Sequence, residues 1–159
     1  MNTDQLNAVY RRLEEKCAAL REAMKSWASC SYGWYNGHYF KNAQGIWERE
    51  YFPIPVISVD GICDIEVHSE HIDISCKLTR EQALSFDMAK LDQYVFEVFG
   101  VEEYLRDFGS TGEDTEQIRA CIRKSNESEI GFSFRFGWEL TEDQVCEFAE
   151  FLKEKGFYY

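Results

Sequence analysis

Glu66, His68, His71 and Asp73 fall within one short stretch of the chain, and their spacing places all four on one side of a hairpin. Ile62 to Val67 and Ile72 to Leu78 alternate apolar and polar residues around His68-Ser69-Glu70-His71, the pattern of two paired strands with one buried face. Alternation sets Val67 against Ile72, Ile65 against Ile74 and Cys63 against Cys76 on the buried side. His68 and His71, Glu66 and Asp73, and Asp64 and Ser75 then pair on the other. Two imidazoles and two carboxylates would suit a divalent transition metal. The same residues also suit a solvated acidic sheet face, because Glu66 opposite Asp73 is a like-charge pair that a nearby Lys or Arg would relieve. The expectation is no metal and no cofactor, with His68, His71, Glu66 and Asp73 as the residues that would hold a metal if any do.

Other chemistry has weaker foundations. The chain has no P-loop, no G-x-G-x-x-G, no G-x-S-x-G and no H-E-x-x-H. Cys30 lies near His38, but nothing in the sequence orients either as nucleophile or base. No catalytic residue is assigned, and the reading leans away from an enzyme. The six cysteines, Cys17, Cys30, Cys63, Cys76, Cys121 and Cys146, are scattered without C-x-x-C or zinc-finger spacing. They are expected to be reduced core thiols of a cytoplasmic protein. Met1 to Val9 is polar and opens a helix, unlike a secretory signal. No apolar run approaches the ~20 residues of a membrane span.

Charge supplies a functional expectation. The 159 residues carry a formal net charge of −12, unevenly distributed. Residues 60–117 hold four Lys/Arg against fifteen Asp/Glu, whereas residues 1–59 hold seven against six, and residues 118–159 six against eight. Such a balance disfavours nucleic-acid backbones and anionic membranes. If Asp64, Glu66 and Asp73 line one sheet face with Glu102, Glu103, Glu113 and Glu116 beyond it, the molecule has one negative side. That side would steer a basic protein partner, for example a nucleic-acid-binding one. Trp34, Tyr35 and Tyr39, among Gly33, Asn36 and Gly37, form a candidate exposed aromatic patch. The partner-binding candidates are therefore Trp34, Tyr35, Tyr39, Glu102, Glu103 and Glu113.

These residues need a scaffold. Leu6, Tyr10, Leu13, Cys17, Leu20, Met24 and Trp27 recur at helical spacing and predict a helix from about residue 3 to 28, packed across the chain's own sheet. Self-association through it is expected to be weak or absent. Ser31 to Phe52 predicts strands around an Asn42-Ala43-Gln44-Gly45 loop, and Pro53 and Pro55 suit an edge or a strand boundary. Asp60-Gly61 marks a further hairpin. Thr79 with Gln82, and Thr141 with Gln144, are capping boxes that open helices, the first carrying Ala83, Leu84 and Met88, the second ending at Gly156. Gln93 to Phe99 is assigned to a strand, Val101 to Phe108 to a short helix stopped by Gly109, and Thr115 to Lys124 to a helix. Glu129 to Trp138 alternates as a strand, with Phe132, Phe134, Phe136 and Trp138 on one face. The sum is a single α+β domain over residues 1–159. It has a long amino-terminal helix, a mostly antiparallel sheet of about six to seven strands, short middle helices and a carboxy-terminal helix.

The favoured function is a non-enzymatic protein-binding module of inhibitor, immunity or adaptor type. The alternative is a small-molecule-binding or cryptic enzymatic domain with a pocket between the sheet and the long helix. A structural subunit that self-associates through that helix is the third.

Overall fold

A computed structural model describes residues 3–25, 28–34, 38–41, 44–50, 53–68, 70–108 and 113–159, and of residues 6, 28–34, 38–41, 47–50 and 53 the backbone alone. The fold is α+β. Helix α1 (Thr3–Ala23) is followed by β1 (Ala28–Trp34), β2 (His38–Lys41), β3 (Trp47–Glu50), β4 (Pro53–Val59), β5 (Cys63–Val67) and β6 (His71–Thr79). Helices α2 (Arg80–Ser85) and α3 (Met88–Glu97), strand β7 (Glu103–Arg106), helix α4 (Thr115–Lys124), strand β8 (Glu129–Gly137) and helix α5 (Glu142–Lys155) complete the chain. The main sheet is antiparallel, in the order β1-β4-β5-β6-β8-β7, and β2 and β3 form a separate two-stranded ribbon.

Alternation decides which sheet face the helices cover. Ile65, Val67, Ile72, Ile74, Phe134 and Phe136 are fully buried in one apolar cluster with residues of α1, α3, α4 and α5. From α1 and the turn that follows it come Leu13, Cys17, Leu20 and Met24, each at most 1% exposed, so this helix packs closely on the sheet. Phe148 of α5 meets Phe134 and Phe136 edge-on, with ring centroids 5.1 and 5.0 Å away. The register of β5 against β6 is Val67 to Ile72, Glu66 to Asp73 and Asp64 to Ser75, as alternation predicts. Asp60 and Gly61 both take positive φ, 41° and 70°, which the tight turn between β4 and β5 requires. Pro53 and Pro55 sit where β4 pairs with β1 but has not yet met β5, whose pairing starts at Val56. Both predicted capping boxes form, and Gly156 ends α5 in the left-handed conformation.

Four elements differ from the sequence reading. The first helix ends at Ala23, because residues 28–34 are taken by pairing with β4; Trp27 lies outside the described residues. Residues 93–97 belong to helix α3, not to a strand. Met88, Leu91 and Val95 face the core at helical spacing, and burying that stripe outweighs the β-branched content. Met88 is not part of the helix at Ala83, because Asp87 caps α3 separately by accepting from the Lys90 N–H. Residues 103–106 form strand β7, not a helix. Tyr104 points inward and stacks on Phe134 at 4.8 Å, while Glu103 and Leu105 point outward. Finally, β8 ends at Gly137, and Trp138 leaves the phenylalanine row to lie under Arg12, 4.3 Å from its ring.

Candidate functional site

The polar side of the β5–β6 hairpin closes into a nest of charged groups. The His68 N–H donates to the His71 carbonyl at 3.0 Å, which fixes the hairpin end and stacks the two imidazoles 4.4 Å apart, tilted by 20°. Both Nε2 atoms face the same carboxylate oxygen, Asp73 Oδ2, at 3.6 Å from His68 and 3.4 Å from His71. Glu66 Oε1 stands 3.9 Å from His68 Nε2. His68 is 2% exposed and Asp73 8%, so this part of the sheet's second face is enclosed. Sequence reasoning had assigned that face to solvent.

Arg135 is the residue that local sequence could not supply. It lies opposite Asp73 on β8, donating from Nε to Oδ1 at 2.9 Å and from Nη2 to Oδ2 at 3.2 Å. Its Nη1 reaches Glu103 Oε2 at 3.1 Å. This fork relieves the like-charge pairing of Glu66 with Asp73. Burial pushes the Asp73 pKa up, but the adjacent His71 imidazole and the Arg135 fork outweigh burial and hold it at about 2. Glu66 goes the other way, raised by burial and then by the charges of Asp73 and Asp64. The nearby thiols are inert by the same physics. Burial lifts Cys63 to about 12 and Cys76 well above its ordinary value, and both are free.

More acid gathers at this end of the sheet. Gly137 faces His71 across the ladder, and a Cβ there would collide with the carboxylates of Glu139 and Glu102. Along the same face Asp64, Ser58, Ser75 and Ser133 are half-buried, and Glu103 and Leu105 are exposed. Glu113 and Glu116 belong elsewhere. Glu113 precedes the Asp114 cap of α4, and Glu116 is paired with Arg119 and Arg123 within that helix. Of the aromatic candidates, Tyr35 lies outside the described residues, as do the side chains of Trp34 in β1 and Tyr39 in β2.

A second buried charge pair has a structural role. Arg106 of β7 grips Asp92 of α3 with both terminal nitrogens, and its Nη1 also reaches the Tyr104 hydroxyl at 3.2 Å. Among the described residues, Leu13, Cys17, Leu20 and the adjacent Met24 fill the interface of α1 with the sheet. A cleft of 410 Å³ lies instead between α3 and α5, lined by Leu91, Tyr94, Phe151 and Lys155 among others.

Comparison with known proteins adds the fold. A conserved hypothetical protein from Pyrococcus furiosus is similar over 96% of this chain and 95% of its own, with a TM-score of 0.59 at 16% identity. At that identity the likeness shows the fold alone. No family model matches the chain, and no curated protein matches it. Among the described residues, no helix is long and apolar enough to cross a membrane.

Proposed function

We propose that the chain is a non-enzymatic protein-binding module, of inhibitor, immunity or adaptor type, that presents an acidic sheet face to a basic protein. One observation carries this reading. Asp64, Glu66, Glu102, Glu103 and Glu139 come from three separate segments, yet they converge along one face around small serine and glycine residues. Arg135 and Lys77 offset only part of that charge. Small residues keep such a face low and open to backbone approach, and the field of the carboxylates accelerates encounter with a cationic partner. A cytoplasmic setting fits the free thiols. The competing small-molecule or enzymatic reading is favoured by the α3–α5 cleft, which lies away from the charged nest.

The test uses surface acids outside the nest. Asp64→Lys combined with Glu102→Lys should slow association with captured basic proteins, and the effect should shrink as salt shortens the ~8 Å screening length. Glu113→Lys, in the helical layer, should leave association unchanged. Binding that ignores salt and the paired reversal, or that Glu113→Lys weakens equally, refutes the acidic face as the docking surface.

A further inference from the structure

We propose that His68, His71 and Asp73 form a binding site for a divalent transition-metal cation such as zinc, with Glu66 supplying a fourth ligand. This departs from the expectation of no metal drawn from sequence, and geometry is the reason. His68 Nε2, His71 Nε2 and Asp73 Oδ2 all lie within 4.8 Å of one another. The two nitrogen-to-oxygen separations, 3.4 and 3.6 Å, are too long for N–H···O hydrogen bonds, which fall at about 2.7–3.2 Å. The shorter equals the edge of a tetrahedron, where ligands ~2.0–2.1 Å from one ion stand about 3.3–3.4 Å apart, and the longer comes close to it. His71 Nε2 is shielded from solvent and makes no hydrogen bond among the described residues. A buried imidazole nitrogen in that state is costly, and coordination would satisfy it. Its approach to Asp73 is an electrostatic contact only.

The surroundings suit a cation. Glu66 Oε1, 3.9 Å from His68 Nε2, needs a small side-chain rotation to join. Arg135 would keep its Nε bond to Asp73 Oδ1 and release Oδ2, serving as the outer partner that orients a ligating carboxylate. The nearby acids Glu102, Glu103 and Glu139 offset the Arg135 charge. The rival description of the nest is a protonated histidine pair neutralised by Asp73 and Glu66, which would exclude a metal. The two make opposite predictions.

The test takes the full chain, stripped by chelator, and titrates Zn²⁺ alone by calorimetry and thermal melting. Co²⁺ serves as a spectroscopic substitute that reports tetrahedral nitrogen and oxygen ligation. One equivalent should bind and raise the melting temperature by mass action. His71→Ala and Asp73→Asn should each weaken binding by roughly a hundredfold or more, since each removes a direct ligand, while His38→Ala leaves it intact. In the unmutated chain, one equivalent of Zn²⁺ should shift the ring resonances of His68 and His71 and spare those of His38, a readout independent of how the variants fold. Absence of binding at millimolar Zn²⁺ overturns the proposal. So does binding that both variants retain, or a resonance shift centred on His38.

Discussion

Protonating Asp73 should unfasten the hairpin end from β8, and its size can be worked from the site. The carboxyl falls from an ordinary 3.8 to about 2 because His71 and Arg135 favour its charged form. At ~1.4 kcal/mol per pH unit, that difference corresponds to about 2.4 kcal/mol of folding stability. The folded-state value is depressed, so the contribution is fully present above 3.8 and is lost as pH falls through about 2. By about pH 2.5 roughly 1.6 kcal/mol of it should be gone. Glu66 is raised, so its contribution has the opposite sign and strengthens as pH falls. The comparison is therefore best made in a Glu66→Gln background. Urea unfolding of that protein with and without Asp73→Asn, at about pH 5 and about pH 2.5, gives the difference directly. The stability advantage of Asp73 over Asn should shrink by about 1.6 kcal/mol between the two conditions. An advantage that stays constant, or grows as the solution is acidified, would refute the argument that Arg135 and His71 hold this carboxylate ionised.

Two further outcomes follow from the packing. Asp92→Ala leaves Arg106 charged and enclosed without its carboxylate, and should cost about 3–5 kcal/mol in urea melts, whereas replacing both members with apolar residues should cost less. Leu20→Ala empties a fully buried position between α1 and the sheet, and should cost about 2–5 kcal/mol while light scattering shows an unchanged mass.

Much of the scaffold was legible from local pattern. Alternation determined the β5–β6 register and therefore placed His68, His71, Glu66 and Asp73 side by side, because a hairpin's pairing depends only on its turn and its period of two. Capping boxes and a terminal glycine marked helix ends, since those backbone groups are satisfied within a few residues. Segments whose state depends on distant burial were misassigned. Gln93 to Glu97 is helical because its stripe meets the core, and Glu103 to Arg106 is a strand because β8 offers it an edge.

The character of the site was likewise divided between the two levels. Sequence determined which ligand types stand together, their hairpin and the acidity of the surrounding segment. Only tertiary structure decided that β8 lies beside β6, bringing Arg135 onto Asp73 from 62 positions away. It also decided that His68 and Asp73 are enclosed rather than solvated, and that Glu102 and Glu139 stand beside the nest while Glu113 and Glu116 do not. The physical reason is the range of the interactions. Period and capping are settled among neighbours, whereas strand order and the burial of a polar face depend on contacts that no local spacing encodes.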